Sequence, residues 1–243
     1  MKNPKSSLFL LVACALILSF SAPLQAAGNL FLDYVDGTRV YFSHVAVGEG
    51  WETEIAAINP TDSDAEITLT SFDDQGNQVG DRVHTILKAH GRYLRLVGRD
   101  FARPTEIAYI LLTSPVFGLK GYSKFFHVSG NHAIRASIMT SEPTTSGIFS
   151  KIDHTGWTGI VFINTGSATA RVTLTAYNDQ GGIVAQQEKD LDPGEKAVDV
   201  VQALFTQSVT NAAYVEFSSD RKVVGFFLNG SSDGTMLDGS QAQ

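Results

Sequence analysis

One stretch of this sequence occurs twice, about a hundred residues apart. Residues 57–76, AINPTDSDAEITLTSFDDQG, return as residues 162–181, FINTGSATARVTLTAYNDQG, and nine of the twenty positions are identical. Roughly one position would match by chance at ordinary composition. Self-similarity at a fixed spacing indicates that the chain builds the same structural unit twice.

The correspondence continues on both sides of this stretch, through a Gly-Trp pair, a tyrosine and a late Gly-aromatic pair. We therefore expect one domain over residues 28–138, a polar linker over 139–147 and a second domain over 148–239. The recurring residues that are predicted to serve the fold of the unit are Trp51, Asn59 and Gly76 in the first copy, and Trp157, Asn164 and Gly181 in the second.

Each copy alternates apolar and polar residues with a period of two, which is typical of half-buried antiparallel strands. In the first copy Ala65, Ile67 and Leu69 fall on one face of such a strand, and Thr68 and Thr70 on the other. The DDQG and NDQG segments that follow are predicted hairpin turns, because Gly and Asn tolerate positive φ. Further strands are expected at residues 31–35, 40–45, 55–58, 107–112, 122–127, 159–163, 213–217 and 223–228, and short helices at 96–101 and 200–205.

About seven short strands in roughly 100 residues are the proportions of a β-sandwich. The predicted fold class is therefore all-β. We expect two tandem antiparallel β-sandwich domains of immunoglobulin-like type, placed after a signal peptide.

The second copy resembles a repeat module found in secreted bacterial proteins. That pattern joins a Gly-Trp pair, a strand ending in Asn, the run A-x-V-T-L-T-x-Y-D-x-x-G, a Leu-x-Pro-Gly turn, a Leu-Phe pair and a V-V-G-aromatic strand. Here ARVTLTAYNDQG, Leu191–Gly194 and Val223–Phe226 match it, whereas the first copy has LKAHG at Leu87–Gly91 in place of the Pro-Gly turn. The resemblance implies a scaffold or an appended module, and it supplies no catalytic residue.

The first residues have the layout of a secretory signal peptide. MKNPK is basic, residues 8–20 are apolar, and small residues precede a predicted cleavage site after Ala26. Cys14 stands in a sequence like a lipid-attachment box, but the apolar run continues beyond it, which disfavours lipidation. We expect export to the periplasm, the cell surface or the medium, and no membrane span.

Charge and cysteine content limit the partners. Removal of residues 1–26 takes away the only cysteine and leaves 16 basic residues against 25 acidic ones, a net charge of −9. Such a charge disfavours nucleic acid and anionic membranes as partners. Without cysteine the processed chain has no disulfide and no thiolate chemistry.

The motifs that could carry catalysis are weak. GSSDG at residues 230–234 matches the letters of a nucleophile elbow, but the last histidine, His154, lies far upstream of it. An elbow needs a helix and then a histidine after it, so we interpret the segment as a turn. His127 and His132 flank another turn, yet two ligands do not make a metal site. We expect no enzyme activity, and no catalytic residue, metal or cofactor.

One segment of the first copy, residues 82–103, is strongly basic, whereas the matching part of the second copy is mainly acidic. The fold of the unit therefore does not require this charge. A basic patch on an acidic chain can bind an anionic polysaccharide or an acidic partner. The alternatives are a solvated face, or a face that pairs with the second domain. The candidate ligand-binding residues in this segment are Arg82, Lys88, Arg92, Arg95, Arg99 and Arg103.

Aromatic residues give two more candidates. Tyr122 and Phe125 lie on one predicted strand of the first copy and would stack on a sugar if they were exposed. Trp51 and Trp157 are instead expected to pack in the core, because they recur at equivalent positions. Leu111 stands on an outer face and predicts contact with another surface, such as the other domain.

Three functions are compatible with these features. The first is a secreted, non-enzymatic structural or adhesive module, with another cell-surface protein as its partner. The second is a carbohydrate-binding module whose first copy recognises an anionic polysaccharide. The third is a periplasmic assembly chaperone that binds a subunit by strand addition, which is disfavoured because such chaperones usually have non-duplicated domains and a basic surface.

Overall fold

Antiparallel strands dominate the computed structural model, which describes residues 36–129 and 132–243. The chain is all-β in this range, as predicted, with helices of only three or four residues between some strands. Among the described residues, no helix is long and apolar enough to cross a bilayer.

The N-terminal half is the part of the chain from the first to the eighth strand. These strands are β1 (Thr38–Phe42), β2 (Trp51–Ile58), β3 (Ala65–Phe72), β4 (Val83–Leu87), β5 (Arg92–Leu96), β6 (Tyr109–Ser114), β7 (Lys120–Ser129) and β8 (His132–Met139). Helix α1 (Val97–Asp100) and a 3-10 turn (Pro104–Glu106) connect β5 to β6.

The C-terminal half follows with the remaining strands and one helix. The strands are β9 (Thr144–Phe149), β10 (Trp157–Asn164), β11 (Ala170–Tyr177), β12 (Ile183–Leu191), β13 (Lys196–Val200), β14 (Tyr214–Gly230) and β15 (Leu237–Gln241). Helix α2 (Val201–Leu204) follows β13.

The two halves have the same strand order. In the N-terminal half the two sheets are β1-β6-β3-β4 and β5-β2-β7-β8. In the C-terminal half the first part of β14 pairs with β9 and β11, and β12 lies beyond β11. The second part of β14 pairs with β10 and β15, and β13 lies beyond β10. Each half is therefore a sandwich of two four-stranded antiparallel sheets.

Each sandwich has its own apolar core between its sheets, and alternation along the repeated strand supplies much of it. The side chains of Ala65, Ile67 and Leu69 in β3, and of Ala170, Val172 and Leu174 in β11, are at most 1% exposed. The period-two prediction is confirmed in both strands, because successive side chains of a strand point to opposite faces.

The sequence prediction is wrong at one strand. It expects separate strands at residues 213–217 and 223–228, whereas β14 runs unbroken from one sheet to the other. The equivalent strands β6 and β7 are separated by a loop in which Pro115 has no N–H to donate and Gly118 takes a φ of 88°. Residues 219–222 of the C-terminal half contain neither Pro nor Gly, so the strand continues through the bend.

Asn59 and Asn164 close the same turn in the two halves. Both side chains are fully buried. Three backbone carbonyl oxygens lie 2.8–3.2 Å from the amide nitrogen of each. Buried carbonyl groups need a donor, so this asparagine recurs for a structural reason.

Several predicted segments find their place in this fold. Helices α1 and α2 occupy the two predicted helical segments. The predicted linker over residues 139–147 overlaps the start of β9, and the domain boundaries stay a prediction. The signal peptide, Cys14 and the strand expected at residues 31–35 lie outside the described residues.

Candidate functional site

An apolar cluster joins the two halves and belongs to the core of neither. We name it the inter-half cluster. The rings of Phe125 and Phe226 stack in it with their centroids 6.2 Å apart. Trp51 and Trp157, which the repeat predicts for the core of each sandwich, instead pack against this cluster and are partly buried. Its buried members are Phe125, Ala136 and Ile138 from the N-terminal half, and Val161, Phe226 and Leu228 from the C-terminal half.

A buried lysine crosses between the halves beside this cluster. The side chain of Lys196 in β13 is 2% exposed. Its Nζ donates to the carbonyl oxygen of Ala108 and to Nδ1 of His44, both at 2.8 Å. The carboxylate of Asp74 lies 3.7 Å from Nζ, and the backbone N–H of Lys196 donates to the carbonyl of Asp74 at 2.9 Å.

The protonation of this group follows from its burial. Burial lowers the pKa of Lys196 to about 8, although the nearby Asp74 carboxylate acts to raise it. Burial also lowers the pKa of His44 well below its ordinary value, and the charge of Lys196 lowers it further. The His44 imidazole is therefore neutral, and its Nδ1 accepts a hydrogen bond from the Lys196 ammonium.

The hairpin after β3 completes the contact. The hydroxyl of Tyr109 donates to the carbonyl of Gly194 at 2.9 Å, and its ring stacks on Phe72 with centroids 4.9 Å apart. Burial raises the pKa of Tyr109, so its hydroxyl keeps its proton. Gly76 lies against Gly194, because a Cβ on Gly76 would come within 2.8 Å of the Gly194 backbone. The repeated stretch of the first copy thus docks on the second.

The equivalent surface of the C-terminal half is open. Tyr177 and Tyr214 stack in the same way, with centroids 5.2 Å apart. Both are half-buried, whereas Tyr109 is 3% exposed. A Cβ on Gly181 would meet nothing within 4 Å, and Asp179 beside it is exposed.

Three candidate cations in the basic segment of residues 82–103 pair with acids of their own half. Lys88, Arg99 and Arg103 pair at 2.7–2.9 Å with Asp64, Asp100 and Glu106, respectively. The guanidinium of Arg95 lies over a tyrosine ring of the same strand at 4.3 Å. Exposed ion pairs contribute little to stability, but they reduce the charge that an anionic ligand would meet.

The remaining candidate ligand-binding residues differ from one another in burial and in the contacts that they make. Arg92 is exposed at the start of β5 and Arg82 on the loop before β4. The Tyr122 hydroxyl donates to Glu54 at 2.9 Å; burial raises the pKa of Tyr122, that bond raises it further, and Arg92 opposes the rise. Phe125 is 2% exposed within the inter-half cluster, so it does not offer its ring to a ligand.

A concave polar surface, which encloses about 490 Å³, lies over strands β11, β12 and β14 of the C-terminal half. Arg171 pairs there with Asp190 at 3.0 Å through Nε, and its backbone N–H donates to Asp220 at 2.7 Å. Thr173 and Ser218 lie beside it as a cross-strand pair. None of the residues predicted to bind a ligand lines this surface.

Sequence reasoning missed Lys196, His44 and the Arg171 surface. A lysine that opens a strand is normally solvated, so nothing in the local pattern reveals that Lys196 is buried. Arg171 stands on the polar side of the alternating pattern, where an outward charge is the ordinary expectation. Within the described part of the chain, no group of three or more His, Cys, Asp or Glu side chains is placed to hold a metal ion.

No protein family matches this chain, and no curated protein matches it. Solved structures share only remote likeness. A presumed secreted protein of Parabacteroides distasonis is 10% identical over 85% of this chain and 73% of its own, with a TM-score of 0.22.

Two other likenesses are to much larger chains. A glycosyl hydrolase family 2 member from Bacteroides cellulosilyticus is 10% identical with a TM-score of 0.18, over 84% of this chain and 27% of its own. A β-glucuronidase of Bacteroides uniformis is 12% identical with a TM-score of 0.19, over 84% and 25%. This chain spans about a quarter of their length, and scores this low carry no argument about its function.

The two equivalent glycines provide a test of the docked hairpin. Gly76 and Gly181 have φ values of 80° and 77°. Alanine at either position must adopt this left-handed conformation, which lowers the free energy of unfolding by about 1 kcal/mol in both cases. Gly76→Ala also presses on Gly194, and we expect it to lose about 1–3 kcal/mol more than Gly181→Ala. Urea unfolding of the processed chain (residues 27–243) measures both; equal losses would contradict the docking.

A second prediction concerns alkaline pH. The pKa of Lys196 lies near 8 when folded, against an ordinary value of 10.5, so the unfolded chain holds more protons between these values. The stability of the chain relative to a Lys196→Met variant therefore rises as the pH passes from 8 towards 10.5. The neutral amine still has two N–H groups for Ala108 and His44. Urea unfolding of both chains at stepped pH measures the difference; a flat or falling difference would contradict the burial of the charge.

Proposed function

We propose that this chain is an exported, non-enzymatic structural or adhesive protein, in which two β-sandwiches act as one rigid unit in the periplasm or at the cell surface. The observation that supports this is the contact between the halves, with its apolar cluster and the buried Lys196. Domains that share a small polar interface move relative to one another by default. A buried contact fixes their relative placement, which is what a structural module requires.

Export is supported by the signal-peptide layout of residues 1–26. The rest of the chain contains no cysteine, so its stability does not depend on the redox state of the compartment that it enters. Its partner in this role is a protein surface, and the open stacked tyrosines of the C-terminal half are the surface that we assign to that contact.

The rigid unit makes a testable prediction about unfolding. The processed chain is expected to unfold in one transition, identical by tryptophan fluorescence and circular dichroism, because Trp51 and Trp157 pack at the contact between the halves. A Phe226→Asp variant places a charge in the inter-half cluster, and its two halves are expected to unfold in separate transitions. Hydrolysis of any polysaccharide, ester or peptide substrate by the purified chain would contradict the non-enzymatic role.

A second function, saccharide binding, is favoured by the concave surface around Arg171. Hydroxyl and carboxylate groups there, on Thr173, Ser218 and Asp190, suit the many hydroxyl groups of a sugar. The N-terminal half is a weaker choice, because Phe125 is buried in the inter-half cluster and does not offer its ring to a sugar.

This second function is tested by retention of the processed chain on gels that contain neutral or anionic polysaccharides. Arg171→Ala is expected to weaken any binding by about tenfold, the cost of losing one charged hydrogen-bonding group. The matched comparison is a variant with Arg95 and Arg99 changed to alanine, which leaves both the concave surface and Arg92 intact. Loss of binding in that variant alone would instead favour the basic segment of the N-terminal half.

A further inference from the structure

We propose that this protein associates head to tail with copies of itself. The C-terminal half of one copy docks on the turn between β4 and β5 of the next, in the way that its own N-terminal half docks on its C-terminal half. This inference names the partner of the proposed structural role and therefore rests on it.

The contact within the chain joins two different surfaces. We name the first the hairpin face, formed in the N-terminal half by Phe72, Asp74 and Tyr109, and the second the turn face, formed in the C-terminal half by Gly194 and Lys196. Since the halves share one fold, each carries both faces. One hairpin face and one turn face are thus left over, and a contact between unlike faces can continue from copy to copy.

The unused hairpin face of the C-terminal half is formed by the same kinds of residue. Tyr177 pairs with Tyr214 in the register in which Phe72 pairs with Tyr109. Asp179 follows its strand by two residues, as Asp74 does. The hairpin glycine beside it meets nothing within 4 Å, whereas its counterpart in the docked hairpin lies against Gly194. The face has the shape of the docked one and lacks its cover.

The unused turn face of the N-terminal half also keeps its geometry. His90 stands where the other half has Gly194, and both have positive φ, 54° and 76°. Arg92 pairs with Ile58 in the register in which Lys196 pairs with Ile163, so the two cations occupy one structural position. The imidazole of His90 contacts Asp62 of its own half at 3.0 Å. By position, the His90 backbone carbonyl would accept the Tyr214 hydroxyl, as the Gly194 carbonyl accepts that of Tyr109.

One charge pair is preserved in the new pairing, whereas Lys151, at the position of His44, brings a cation that Asp153 offsets at 3.9 Å. Within the chain the Asp74 carboxylate lies 3.7 Å from the Lys196 ammonium. Between copies, the exposed Asp179 would face the exposed Arg92. Facing charges of opposite sign fix the register of a contact and disfavour other partners. The pair of Asp179 and Arg92 would thus set the register of the contact between copies.

The apolar part of the contact is weaker between copies. Phe125 in the inter-half cluster corresponds to Asn229 in the C-terminal half, and Ile138 corresponds to Ser240, by the pairing of β7 with β8 and of β14 with β15. On the opposing side, Tyr122 takes the place of Phe226, with the exposed Met139 beside it. Less apolar surface is buried, so the association is reversible and depends on salt.

Sedimentation velocity of the processed chain tests this inference, at concentrations from about 1 µM to 1 mM, where weak contacts become populated. We expect the mean sedimentation coefficient to rise continuously with concentration, and less at high salt. Arg92→Glu is expected to lower the association constant by about tenfold or more, because like charges then face each other. Adding Asp179→Lys to the same chain restores the opposite charges and the association.

Arg103→Glu is the charge-matched control, because Arg103 is held by Glu106 outside the turn face, and it should associate like the unmodified chain. Circular dichroism shows that each variant is folded. A chain that stays monomeric throughout, or a closed dimer that Arg92→Glu leaves intact, would overturn the inference. A monomer that still unfolds in one transition and has no turnover retains the structural role, so the two failures are distinguishable.

Discussion

The relative placement of the two halves depends on one buried cation. Taking the Lys196 ammonium out of water costs several kcal/mol in general, and the opposing charge of Asp74 recovers only part of that cost. The remaining donors are used on the Ala108 carbonyl and on a neutral His44. An apolar side chain at this position would be buried at lower cost. If the two halves were placed differently, however, the Lys196 ammonium would lose the Ala108 and His44 acceptors. The lysine therefore selects one arrangement of the halves more than it strengthens the contact.

The duplication explains why this contact is built from the most regular part of the fold. The hairpin that each sandwich needs to turn from β3 to β4, or from β11 to β12, also presents a stacked aromatic pair at its base. The turn after β4 or β12 is already fixed by Asn59 or Asn164. Docking a fixed hairpin on a fixed turn orders few additional groups, so little conformational entropy opposes it.

The sequence predicts the fold well where the signal is periodic and local. The alternation in β3 and β11, the turn glycines and the recurring asparagines all report constraints that act within a few residues. Burial of Lys196 is different, because it is imposed by a hairpin more than a hundred residues earlier. The pairing inside the basic segment is hidden for the same reason: Lys88 pairs with Asp64, across the β3–β4 pair. Only the positions of the strands in space reveal these pairings.

The two surfaces assigned to the C-terminal half do not compete for the same residues. Arg171 lies near one end of β11 and Tyr177 ends it, and six residues of extended strand separate them by about 20 Å. A copy docked on the tyrosine end would leave the arginine end of the sheet facing solvent. Because the contact joins unlike faces, each added copy would present one further arginine surface at a fixed spacing. An array of weak sites held at fixed spacing binds a long polymer much more tightly than a single site does, so assembly and saccharide binding would reinforce each other in the same molecule.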